Sequence, residues 1–189
     1  MIWFTSDTHY WHKNIIQYSK RPFANLTEMH AGLIERWNAV VQPEDVVYHL
    51  GDVSFAGKGH TLQVLCQLRG RIRFLRGNHD RQLVLRPGLD EDLGSYHELT
   101  YHNQRLVLCH YPLLTWNKGH HGAWMLHGHC HGNLDELNEG TTRLDVGVDS
   151  RHAPYAPLSF NDVSAIMMAR SYKSVDHHGR KEGSDGVSR

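Results

Sequence analysis

Apolar residues in this chain fall into short, dense runs that end on polar motifs. Ile2 to Ser6 is β-prone and stops at Asp7. Glu28 to Val41 has helical spacing instead, with Met29, Leu33, Ile34, Trp37, Val40 and Val41 on one face. Thr27 is its expected N-cap, and Pro43 stands just past its end. Asp45 to Leu50 reads as a second buried strand that stops at Gly51-Asp52. Thr61 to Leu68 reads as a short helix buried through Leu62, Leu65 and Leu68. Arg71 to Leu75 reads as a third strand, stopping at Gly77-Asn78-His79-Asp80. Three strand–loop–helix units therefore each leave a polar motif at a strand's C-terminal end, which is where open α/β sheets bind ligands.

The second half changes character. Tyr96 to Tyr101 and Arg105 to Cys109 read as a hairpin around His102-Asn103-Gln104. Trp124 to His127 and Arg143 to Val146 add strands, and Ser159 is placed to cap a last helix from Phe160 to Arg170. The expected class is α/β (α+β): a β-sandwich with helices outside, βαβ-like in its first half and mostly antiparallel in its second. Residues 1–170 form one expected domain. From Ser171 the chain turns polar, and residues 171–189 are expected to be a disordered tail.

Composition narrows the function. At 189 residues the chain can bury a full core. Lys+Arg and Asp+Glu balance at 20 each, so no global field selects nucleic acid or membrane. Its three cysteines, Cys66, Cys109 and Cys130, have no regular spacing and suggest a reducing compartment rather than a disulfide framework. The first residues lack a signal-peptide pattern and no apolar run is long enough to span a bilayer, so a cytoplasmic location is expected. The outlier is histidine, with 17 residues. His120-His121 and His177-His178 read as loop or tail residues, but the excess fits a metal protein.

Five blocks carry the chemistry: Asp7-Thr8-His9, Gly51-Asp52-Val53, Gly77-Asn78-His79-Asp80, His110, and Gly128-His129-Cys130-His131. Each has a plain reading when taken alone, as a turn, a strand end or a packed histidine. Their order and repeated placement at strand ends point to metal ligation. Asp7 and His9, two positions apart, can face one site. The carboxylate of Asp52 has two oxygens and can bridge two cations. Asn78 offers a neutral oxygen, and His110, His129 and His131 offer imidazole nitrogen. This mixed N/O set without thiolate suits manganese first, with iron, nickel, cobalt or zinc as alternatives. By alternation Cys130 points away.

As a set, the blocks resemble the calcineurin-like metallophosphoesterase superfamily from Asp7 to His131. The opening run Asp7 to Ile16, followed by Arg21-Pro22-Phe23, is similar to a subgroup of small bacterial and phage members. The resemblance implies a metallophosphoesterase-type sandwich whose active site lies at strand C-terminal ends. It also implies two divalent transition-metal ions, one held by Asp7, His9, Asp52 and His131, the other by Asp52, Asn78, His110 and His129. The implied reaction is in-line attack on phosphorus by a hydroxide between them. His79 would be catalytic, stabilising phosphoryl charge or protonating the leaving oxygen, and Asp80 would orient it. His12, Asn14 and Arg21 are candidate substrate-binding residues, although Arg21 fits a structural ion pair equally well.

The protein Ser/Thr phosphatases of the superfamily carry an arginine after the Gly-Asp block. Here the stretch reads Gly51-Asp52-Val53-Ser54-Phe55-Ala56-Gly57, with no guanidinium to neutralise a dianionic monoester. Gly-Asn-His-Asp is more typical of phosphodiesterase and nuclease branches. The expected enzyme is thus a phosphodiesterase acting on a small, nucleotide-like phosphate ester. Alternatives are a phosphomonoesterase or nucleotide pyrophosphatase, a nuclease on short nucleic-acid ends, and a metal-binding scaffold without catalysis. Nucleic acid is a less favoured partner: the arginines at 69, 71, 73, 76, 81 and 86 read first as a solvated edge. Trp116 could stack on a base but reads first as core. No pattern in the chain specifies an oligomeric state.

Overall fold

A computed structural model describes residues 1–170; the tail expected over 171–189 lies outside the described residues. The chain runs β1 (Ile2–Thr5), α1 (Ile15–Tyr18), α2 (Leu26–Val40), β2 (Val46–His49), α3 (Lys58–Leu65), β3 (Arg71–Phe74) and β4 (Glu91–Asp92). It continues through β5 (Tyr96–Tyr101), β6 (Gln104–Cys109), a 3₁₀ turn (Gly119–His121), β7 (Trp124–His127), α4 (Asp135–Asn138), β8 (Arg143–Asp145), β9 (Leu158–Ser159) and α5 (Phe160–Met168). One sheet has the order β4-β3-β2-β1-β9, the other β5-β6-β7-β8. A parallel bridge between Ser6 and Gly147 links them just beyond β1 and β8.

Strand alternation builds the layers. Phe4 and Tyr48 of the first sheet pack with Leu106, Leu108, Leu126 and Leu144 of the second, forming the core between the sheets. The opposite face of the first sheet buries Val47, Ile72 and Phe74 against Trp37, Val41 and Leu65 from the α2 and α3 segments. Helix α5 closes one side of the inter-sheet core with Phe160, Val163 and Met167. This is the expected α/β sandwich flanked by helices.

Four details depart from the sequence reading. Helix α2 begins earlier, because Asn25 rather than Thr27 accepts the Glu28 amide as N-cap. Helix α3 begins at Lys58 rather than Thr61. The second sheet is mostly parallel: only β5–β6 is antiparallel, while β6–β7 and β7–β8 run parallel. Parallel neighbours need long crossovers, and here those crossovers carry His110, His129 and His131. The hairpin itself is tighter than expected, with His102 and Asn103 at positive φ, the signature of a two-residue type I′ turn. At the other end, Ser159 caps α5 with a full capping box to Asp162, as expected.

Candidate metal centre

The polar motifs converge at the C-terminal ends of β1, β2, β3, β6 and β7. Asp7, His9, Asp52, His129 and His131 all have positive φ, between 49° and 68°. Non-glycine residues adopt that region rarely, and such strain collects at functional sites. Here it turns each chain sharply after its strand, so that side chains otherwise pointing to opposite faces meet. Glycines make room for them. A Cβ on Gly128 would lie 2.0 Å from Ser6 Oγ and 2.3 Å from Asp7 Oδ2; one on Gly77 would lie 2.2 Å from Asp52 Oδ1.

Two tight groups of potential ligands share Asp7: Asp7, His9 and His131, and Asp7, Asp52 and His110. The Nε2 atom of His9 lies 3.7 Å from Asp7 Oδ1 and 3.6 Å from Asp52 Oδ2. On its other side Asp52 Oδ2 lies 3.5 Å from His110 Nε2. Asn78 Oδ1 is 3.0 Å from the same His110 nitrogen. His129 belongs to neither tight group, but its ring stands 5.1 Å from that of His110.

The donor set fits cations. Asp7 Oδ1 and His9 Nε2 are buried without a hydrogen-bond partner, and both face this cluster. Buried polar atoms are rarely left so. His110 donates Nδ1–H to Leu50 O at 2.8 Å, so its Nε2 lone pair confronts another acceptor, Asn78 Oδ1. A cation resolves that conflict. Electrostatics point the same way. Burial opposes charge on Asp7, yet His9, His110 and His131 hold its carboxyl well below the usual carboxylate range. Burial depresses His9 and His129, favouring the unprotonated imidazole that binds metals.

The surrounding residues hold this geometry. His9 Nδ1 lies 3.2 Å from His12 Nδ1, which aims the other His9 nitrogen at the carboxylates. Asp149 Oδ2 accepts from His131 Nδ1 at 2.7 Å and leaves Nε2 facing Asp7. Although burial works against it, Asp149 raises the pKa of His131. Asp149 is itself held by Arg21 through two 2.8 Å bonds. Arg21 also donates to the carbonyls of Asp7 and Thr8. All of this leaves Arg21 buried, with its donors spent on the loop, so it is not available to bind substrate. Asp80 has a second task besides any contact with His79. Its Oδ2 accepts the amides of Asp52 and Gly77 and its Oδ1 that of Val53, so the carboxylate ties two ligand loops together. Asn14 is exposed and lines a separate cavity with Lys13 and Gln17.

His79 is exposed, its amide bonded to Asp52 Oδ1 and its ring 5.9 Å from that of His9. Trp116 is buried and donates to Ala123 O, so it is core. Several of the suspected basic edge residues are engaged: Arg73 with Glu91, Arg76 with Asp92, and Arg86 with Asp90 and the carbonyls of Leu68 and Gly70. All three cysteines are free.

Sequence reasoning missed Asp149 and His49. His49 is buried between the first two motifs. Thr8 donates its hydroxyl to Val53 O and so must accept from His49 Nε2–H, while His49 Nδ1 accepts from Gly51 N–H. The available signal was position: like the recognised motifs, both residues lie at or just beyond a strand end.

A sandwich with buried carboxylates and imidazoles gathered at its strand ends defines a metal-dependent hydrolase. The comparisons name the class more closely. The calcineurin-like phosphoesterase family model matches residues 1–181. The chain belongs to that family and is a metal-dependent phosphoesterase. An uncharacterised protein of Methanocaldococcus jannaschii is 36% identical over 167 residues, covering 85% of this chain and 87% of that one. The gene 66 protein of Mycobacterium phage L5 is 28% identical, covering 78% of this chain and 86% of that one. A solved structure of a protein of unknown function from Aquifex aeolicus shares the fold, with a TM-score of 0.66 and 24% identity, covering 88% of this chain and 98% of that one.

Proposed function

We propose that this chain is a phosphodiesterase that acts on a small, nucleotide-like ester through a site for two divalent ions, manganese foremost. The observation that carries the two-ion reading is the position of Asp52 Oδ2, 3.6 Å from His9 Nε2 and 3.5 Å from His110 Nε2. One carboxylate oxygen lies between two imidazoles from separate motifs, as a bridging ligand must. Asp7, His9 and His131 would hold one ion, and Asn78, His110 and His129 the other. When bound, the ions lower the pKa of water and neutralise phosphoryl charge.

The protein's own residues supply the rest. His79 is exposed beside the cluster with its backbone fixed to Asp52, and it would protonate the leaving oxygen. His12 is pushed down to about 4, by burial first and then by His9 and His79, so it offers a neutral hydrogen-bonding group at neutral pH. The diester preference is supported by Gly77-Asn78-His79-Asp80 and by Arg21, which is committed to Asp149 and the Asp7 loop. A diester carries one charge and needs less neutralisation than a monoester.

The test compares bis-p-nitrophenyl phosphate with p-nitrophenyl phosphate, using metal-stripped protein reloaded separately with Mn²⁺, Ni²⁺, Co²⁺ or Zn²⁺. The expected result is a higher kcat/KM for the diester, dependence on added metal, and a fall of roughly 10²- to 10⁴-fold in kcat for His79→Ala. A monoester preference would make the protein a phosphomonoesterase.

A further inference from the structure

A cavity of about 490 Å³ opens directly beside the metal centre, sharing Asn78 and His79 with it. Its other lining residues include Phe55, Ala56 and Leu83, together with the exposed side chains of Arg81 and Gln82. The volume falls within the range of small-molecule sites. Phe55 is the unusual member. It follows the Gly51-Asp52 motif, yet the residue is 42% exposed instead of joining the core. It stacks on His12 at 4.0 Å and 21°, and its centroid is 4.6 Å from that of His79 and 5.2 Å from that of His9. Three imidazoles of the centre thus hold one phenyl ring at the cavity.

We propose that this cavity is the subsite for the planar base of a nucleotide-type ester, with Phe55 as its stacking residue. Gln82 and Arg81 read the base's polar edge. The proposal rests on the phosphodiesterase reading for its link to catalysis. An exposed aromatic ring offers a face that a base of any sequence can cover. The Gln82 amide both donates and accepts, and the Arg81 guanidinium donates, as a base edge requires.

The test measures binding of adenosine 5′-monophosphate and of ribose 5-phosphate, which has an anomeric hydroxyl in place of the base, to Mn²⁺-loaded protein by calorimetry. If both are hydrolysed, the ratio of their kcat/KM values is a second readout of base discrimination. The nucleotide is expected to be favoured at least about tenfold, the scale of one stacked base. Phe55→Leu should reduce that ratio to about two, and Phe55→Trp should retain it. A wild-type ratio near one, a ratio unchanged in Phe55→Leu, or no binding of either compound overturns the subsite. Bis-p-nitrophenyl phosphate is assayed on the same preparations. Cleavage without base discrimination sinks the subsite and leaves the phosphodiesterase reading standing; base discrimination without cleavage does the reverse.

Discussion

At the scale of single residues, the centre depends on side chains that never need to touch substrate. Asp149 fixes the tautomer of His131 and takes the charge of Arg21. Such partners typically set metal affinity. Asp149→Asn should weaken binding of the ion at His131 by roughly 10- to 100-fold, read by calorimetric titration of the metal-stripped protein. Unchanged affinity would limit Asp149 to a structural role. Two further histidines tie the site to pH. Burial pushes His49 and His127 from an ordinary value of 6.5 to about 4. A group depressed on folding, if it must be neutral, contributes stability above its unfolded pKa and loses it as pH falls toward the folded one. Asp145, pushed up to about 7 by burial and by Asp7, works against them, since its contribution is lost as pH rises from 3.8 to 7. The diagnostic is therefore a difference. Between pH 6.5 and 4, the urea midpoint of wild type should fall more steeply than that of His127→Gln, in which Gln can keep a bond to Asn138. Parallel curves would show that His127 does not titrate with folding.

At the scale of elements, function lives in the turns after strands. Asp80 gathers three amides from two such turns. Asp80→Ala should cost on the order of 3 kcal/mol in chemical denaturation, because it strands buried donors of a charged acceptor. Activity should fall with it, since Asp52 loses its anchored loop. A loss of activity without loss of stability would instead favour contact between Asp80 and the reaction. The strands and long helices were legible because period-2 and period-3.6 patterns follow from burial on one face. The convergence of the five polar blocks was legible because each one ends a strand on the same edge. Parallel pairing of β6, β7 and β8 was not, since short apolar runs pair either way and only the crossovers decide. Asp149, His49 and the loop-tying role of Asp80 were equally hidden. Their partners lie 18, 41 and up to 28 positions away, so their place near strand ends marked them but nothing local named those partners. The start of α2 was misplaced by two residues because Asn25 and Thr27 are both good caps, and the Asn25–Glu28 bond selected the first.

At the scale of the molecule, two sheets enclose one shared core and aim their turns at a common edge. The proposed ligands from the first sheet, Asp7, His9, Asp52 and Asn78, meet His110, His129 and His131 from the second. Metal ions would therefore bind across the sandwich and stabilise the native state by mass action. Saturating Mn²⁺ should raise the unfolding temperature of metal-stripped protein, and Asp52→Asn should abolish most of that rise. Among the described residues no helix is long and apolar enough to cross a membrane. We propose this edge as a two-ion centre bridged by Asp52. Its most direct test is anomalous diffraction from a Mn²⁺-soaked crystal. The account predicts two peaks, one among Asp7, His9 and His131 and one among Asn78, His110 and His129, with Asp52 between them. A single peak, or manganese bound away from Asp52, would contradict it.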